Sequence, residues 1–215
     1  RRDIMTCFIY FFKIDHLILQ LYSIHSTAYI DSYDIRANLI CDCHGRPNCT
    51  TFSGMDIRHN PEFTLLELYE AYTDFNGMMD ITENLFRHVA QNVLGTGKIT
   101  FGGVDLDLDQ PFDRISMKEA VKKYAGVDFD TVTNLEEAQK LAKEHHIEYE
   151  PHHLKGDILN LFFEEYCEDK LVQPTFLTGH PVEISPLAKR DPKNPGYTER
   201  FELSWDANMP MLFRN

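Results

Sequence analysis

The segment Arg58-His-Asn-Pro-Glu-Phe-Thr-Leu-Leu-Glu-Leu-Tyr69 holds the densest set of chemically capable side chains in the chain. After Pro61, aromatic and aliphatic residues alternate as they do in a strand, and a strand is predicted over Glu62–Phe75. In extended backbone Phe63, Leu65, Glu67 and Tyr69 share one face. That face offers an aromatic plane, which stacks on a purine base. Its carboxylate beside a phenol suits a buried ammonium, which needs charge neutralisation and hydrogen-bond acceptors. Arg58 and His59, just upstream, supply donors for a polyphosphate. Taken alone, the same pattern also describes an amphipathic strand with a solvated glutamate.

Other clusters are weaker. Cys41-Asp-Cys-His44 with Cys49 gathers four potential zinc ligands, but the spacing matches no paired zinc knuckle. Asp105, Asp107 and Asp109 alternate along a predicted strand without the glycine and terminal glutamate of a calcium loop, so a solvated face is the expectation. His145-His146 and His152-His153 fall near helix ends and read as surface residues. Asn48-Cys-Thr50 is a glycosylation sequon only in a secreted chain.

These groups need elements to hold them. Met78, Ile81, Leu85, Val89 and Val93 recur at helical spacing over Gly77–Leu94, and Gly95 ends that helix. Lys98–Asp109 reads as a hairpin turning on Gly102-Gly103. Ser116-Met-Lys-Glu119 and Thr133-Asn-Leu-Glu136 are capping boxes for two helices, one ending before Gly126 and the other near His146. A third helix is predicted over Gly156–Leu171, with Ile158, Leu161, Phe162 and Cys167 on one face. Short strands are expected at Phe176–Leu177, Val182–Ser185 and Arg200–Leu203. Strands and helices segregate instead of alternating, which predicts an α+β fold. Local signals agree with one another from Gly54 to about Leu203; residues 1–53 and the tail Ser204–Asn215 lack such agreement.

With 215 residues, 43% hydrophobic and 12% aromatic, the chain suits one globular domain. A net charge of −13 argues against nucleic-acid binding by this chain alone, since phosphates are met by clustered Lys and Arg. Five cysteines form no regular framework, which points to a reducing, cytoplasmic setting. The apolar stretch Ile4–Ile24 follows Arg1-Arg2, but Lys13, Asp15, His16 and Gln20 interrupt it and no cleavage site follows, so no membrane span is expected. Arg1 in place of Met suggests that the natural start lies elsewhere.

Arg58-His-Asn-Pro-Glu-Phe-Thr64, with Glu67, Tyr69, Ala71-Tyr72 and Asp74, closely resembles the second motif of the bacterial class II lysyl-tRNA synthetases. The resemblance continues through Thr82-Glu-Asn-Leu-Phe86, Pro111-Phe-Asp-Arg-Ile115, Gln173-Pro-Thr-Phe176, His180-Pro-Val-Glu-Ile-Ser-Pro-Leu-Ala-Lys189 and Arg200-Phe-Glu202, in family order over roughly 54–203. Aspartyl and asparaginyl enzymes share Pro-Glu-Phe-Thr, but Glu67-x-Tyr69 looks specific to the lysyl branch. The alternatives are a paralogue that lysylates an elongation factor and a non-catalytic binding module derived from a synthetase.

The resemblance implies an antiparallel-sheet class II core with a helical insertion at about 113–171, acting on lysine and tRNA(Lys) with ATP and Mg²⁺ as a homodimer. It implies ATP binding by Arg58, His59, Asn60 and Phe63, with Phe63 stacked on adenine. Glu67 and Tyr69 would bind lysine, and Glu202 would bind Mg²⁺. The lysine carboxylate would attack the α-phosphate, giving lysyl-adenylate and pyrophosphate. Departures from the family are also visible. Its Phe-Arg-Asn-Glu before Gly54 is replaced by Thr50-Thr-Phe-Ser53, so the α-phosphate arginine falls on Thr51 and the glutamate on Ser53. The dimer-forming first motif is not recognisable in 1–53, and no third motif or anticodon-binding barrel is seen. The expectation is a fragment inactive by itself. The tail Ser204–Asn215 can be encoded so that another frame reads Met-Gly-Arg-Glu-Tyr-Ala-Asn-Ala-Phe-Ser-Glu-Leu, the family's own continuation, which predicts an out-of-frame tail.

Overall fold

The computed structural model describes residues 4–7, 36–41, 64–101 and 103–205, with side chains from Glu70 onward. Where length alone suggests one body, the chain divides into two compact units, Arg1–Lys98 with Met209–Asn215 and Ile99–Asn208.

In the first unit β1 (Ile4–Cys7), β2 (Arg36–Cys41) and β3 (Thr64–Ala71) form an antiparallel sheet in the order β1-β3-β2. The predicted strand over Glu62–Phe75 is therefore too long at its C-terminal end. Tyr72 takes a left-handed φ of 64°, and Asp74 caps helix α1 (Phe75–Leu94), its carboxylate accepting from the Asn76 and Gly77 amides at 2.9 and 3.0 Å. Those side-chain bonds satisfy amides that have no partner within the helix, and they favour a cap where strand propensity alone would have continued. Gly95, at φ 72°, ends α1 as expected.

The buried face of α1 is turned from the expected one. Met78, Met79, Thr82, Phe86, Val89 and Ala90 are buried, while Ile81 and Leu85 are half-exposed. A threonine can take a core position because its hydroxyl donates to the Met78 carbonyl at 2.8 Å, so no polar group is orphaned.

The second unit opens with the hairpin β4 (Lys98–Phe101) and β5 (Val104–Asp107), turning through Gly103 at φ 89°. A mixed sheet follows: β6 (Asp113–Ser116) runs parallel to β7 (Thr175–Thr178), and β8 (Phe201–Ser204) pairs antiparallel to β7. The α+β class stands, but this sheet is not purely antiparallel. Residues 113–116, placed in the helical insertion from sequence, are its first strand. The helices of the β6-to-β7 crossover are α2 (Met117–Tyr124), α3 (Leu135–Glu144) and α4 (Lys155–Tyr166), followed by a 3₁₀ turn at Glu168–Lys170. Parallel strands require such a long connection.

Ser116 caps α2 with the reciprocal Glu119 box expected. On α3 the box is shifted by one: Asn134 is the cap, and Glu137, not Glu136, reaches back to the Thr133 amide at 2.7 Å. Asparagine is as good a cap as threonine, so the register follows whichever placement also buries Ala138 and Ala142, both fully buried here. The core of this unit centres on Met117, Val121, Phe129, Ile158, Leu159, Phe162 and Leu177. Phe129 meets Phe162 edge-on at 5.4 Å between centroids, a favoured aromatic geometry.

The predicted strand Val182–Ser185 is absent; isolated bridges flank it, Pro181 to Tyr197 and Arg190 to Thr198. Ser204, assigned to the unpatterned tail, extends β8 and pairs with Thr175. Asp105 and Asp107 lie in β5, whereas Asp109 is in the following turn, its amide bonded to Asp107 at 3.1 Å.

Candidate functional site

Of the residues assigned to ATP, Arg58, His59, Asn60 and Phe63 lie outside the described residues, as do Cys43, His44 and Cys49 of the weak zinc cluster. Glu67 and Tyr69 fall two positions apart in β3, in Cα register with Asn38 and Arg36 of β2. Both are in extended backbone, as the alternation predicted.

Glu202 sits in β8 opposite Leu177, in the second unit. Two features fix its strand. Phe201 packs edge-on against the buried Phe176 at 5.4 Å, and the Arg114 guanidinium lies 5.7 Å from the Phe176 ring centre. Gln173 ties the start of β7 to β5 through bonds to the Asp105 carbonyl and the Asp107 amide, at 2.9 and 3.3 Å.

After β7 the chain turns through Gly179, at φ 65°, into His180-Pro181. The His180 carbonyl accepts from both the amide and the hydroxyl of Thr198, at 2.9 and 3.0 Å. The loop is laced back to the approach of β8 by Val182 N–H to Gly196, Asp191 N–H to Tyr197 and Glu199 N–H to Lys189. Within the Val-Glu-Ile-Ser stretch the Val182 amide bonds to Gly196 and the Ser185 carbonyl accepts from Ala188, loop and turn contacts in place of a strand ladder.

The loop gathers four polar side chains. Arg200 donates to the Ser185 hydroxyl at 2.6 Å and pairs with Glu202. The other Glu202 carboxylate oxygen lies 3.6 Å from His180 Nε2. His180 is 1% exposed, and neither ring nitrogen has a hydrogen-bond partner. Lys189 and Glu199 form a neighbouring ion pair at 2.6 Å. Burial pushes the Tyr197 phenol up, with Lys118 opposing. Sequence reasoning placed Glu202 but gave His180, Ser185 and Arg200 no role. A histidine locked before proline at the end of a strand was the signal available.

A family model described as class II tRNA synthetases (D, K and N) matches residues 53–208. The chain belongs to the class II tRNA synthetases. Among curated proteins it is similar to the lysine–tRNA ligases of Clostridium botulinum and Clostridium acetobutylicum, 53% and 55% identical over 152 residues. It is also 56% identical to that of Thermoanaerobacter pseudethanolicus over 149 residues. Each match covers 69% of this chain and 30% of the relative. The chain thus spans about a third of the length of these ligases. The printed names of these relatives give lysine and tRNA as what they join. Among the described residues no helix is long and apolar enough to cross a membrane.

Proposed function

We propose that this chain is a piece of a lysine–tRNA ligase catalytic domain, binding ATP and lysine through residues 54–203 in the cytoplasm. The observation that carries it is the 53–56% identity to lysine–tRNA ligases. Arg58, His59, Asn60 and Phe63 would take the nucleotide, and Glu67 and Tyr69 the lysine ammonium. Glu202 would meet the divalent cation. A carboxylate is the hard donor such a cation prefers, and Mg²⁺ keeps waters and leans on substrate phosphates instead of needing a protein cage. The cation would neutralise charge on the phosphates during adenylation.

Calorimetric titration with ATP, lysine, aspartate and asparagine tests the assignment. Lysine should bind in preference to aspartate and asparagine, and Glu67→Gln should remove that preference. Equal or better binding of aspartate would overturn it.

Binding without adenylation is the second reading, favoured by Thr51 at the position of the α-phosphate arginine. Removing one preorganised charge-stabilising donor costs about 3–4 kcal/mol of barrier. Lysine-dependent pyrophosphate exchange is therefore expected at background level. Robust exchange would show that another cation serves the α-phosphate. We also read the tail from Ser204 as out of frame, which sequencing of the gene decides by the presence or absence of Gly-Arg-Glu codons in another frame.

A further inference from the structure

The His180 ring presents a problem that the function so far leaves unused. It is 1% exposed and flanked by fixed backbone, yet both ring nitrogens lack a hydrogen-bond partner. A buried, unpaired donor is costly and calls for an explanation. Its Nε2 lies 3.6 Å from Glu202 Oε2, beyond the roughly 3.2 Å limit of an N–H···O bond. The opposite carboxylate oxygen is held by Arg200, which also keeps a 2.6 Å bond to Ser185.

We propose that His180 is a positioning residue for Glu202, donating from Nε2 to the carboxylate when a divalent cation displaces Arg200. This rests on reading Glu202 as the cation ligand. The cation and the guanidinium compete for the same negative charge, and both cannot hold the same oxygen. Arg200 keeps its bond to the Ser185 hydroxyl when it yields the carboxylate. A shift of the carboxylate by about half an ångström closes the His180 bond to normal length. The histidine then gains its missing partner in the cation-bound arrangement only. Ligating carboxylates are ordinarily hydrogen-bonded in turn, and that support orients them. The fixed His180 carbonyl, held twice by Thr198, and the left-handed Gly179 keep the ring from following the carboxylate away.

The test uses the full chain with Mn²⁺ as the probe cation and ATP, comparing nucleotide binding in Mn²⁺ and in EDTA. Glu202→Gln should abolish the Mn²⁺-dependent gain. His180→Leu should weaken that gain about tenfold, equivalent to about 1.4 kcal/mol, with binding in EDTA unchanged. His180→Gln, whose amide nitrogen falls near the Nε2 position, should recover most of it. Nitrogen-15 spectra of labelled histidine should show the Nε2 proton of the wild-type chain entering a hydrogen bond on addition of Mg²⁺ and ATP. A role in packing alone would move unfolding temperature and leave this signal and the Mn²⁺ dependence alone. If Glu202→Gln abolishes the gain while both His180 variants keep it, the inference is wrong and the Glu202 reading survives. If Glu202→Gln changes nothing, or the wild-type chain shows no Mn²⁺-dependent gain, both fall. Should His180→Leu fail to fold, a silent histidine signal in the wild-type spectra overturns the proposal by itself.

Discussion

Cys167 is fully buried at the end of α4, and burial alone pushes its thiol up to about 12 from an ordinary value of 9.0. The thiolate is the reactive form, so at pH 8 the native thiol should be about 10³-fold less ionised than an ordinary one and inert. Alkylation in native buffer should miss Cys167, and mass spectrometry after urea treatment should find it labelled; native labelling would refute its burial. The sign of the pH effect follows from the raised value. The stabilising preference for the neutral thiol is complete below pH 9 and is lost as pH rises towards 12. Base should thus favour unfolding over that window, and Cys167→Ala should flatten the dependence. Single residues were legible in the sequence to very different degrees. The burial of Cys167 was legible from helical periodicity, and Glu202 was singled out by resemblance alone. The isolation of the His180 ring was invisible, because it depends on where Thr198 and Arg200 arrive from 18 and 20 positions further on.

At the level of elements, Gly156 decides how α4 meets the loop after His180. A β-carbon there would stand 2.3 Å from the Glu183 carboxylate and 2.6 Å from Cβ of Pro181. Glycine to alanine in a helix normally gains about 0.5–1 kcal/mol. Here the ring of Pro181 cannot swing aside as a carboxylate can, and overpacking costs about 1–3 kcal/mol. Gly156→Ala should therefore destabilise in urea titration, and a stabilised variant would mean that the loop yields freely. Ser116→Ala should cost about 1 kcal/mol by removing the cap of α2. The Ser116 hydroxyl and then its amide hold the Glu119 carboxyl below its ordinary range, so that contribution is present above the usual glutamate value and fades as pH falls through the lowered one. Caps of this kind are local in sequence, which explains why α2 and the stop at Gly95 were predicted correctly. The shift of the α3 box by one residue reflects two acceptable caps side by side. The parallel pairing of β6 with β7, which starts 59 positions beyond the end of β6, has no local signature at all.

The whole molecule carries 21 basic against 34 acidic residues, a net charge of −13. Its relatives are named as ligases of a polyanion, yet the chain spans only about a third of them. Affinity for nucleic acid is dominated by phosphate neutralisation, and each contact releases a counterion. A surface with this excess of carboxylates repels the backbone at distances up to about 8 Å in physiological salt. The few cations near the described site are already engaged: Arg200 with Ser185 and Glu202, Lys189 with Glu199, Lys118 with Asp130. Filter binding with tRNA(Lys) should therefore give no saturable complex in physiological salt, even where ATP and lysine bind. Lowering the salt should help little, because the slope of affinity against salt is set by the number of phosphates neutralised, about 0.9 per contact on duplex regions. Micromolar binding that weakens steeply as salt is added would contradict this, and would locate a basic patch among the residues the structure does not describe.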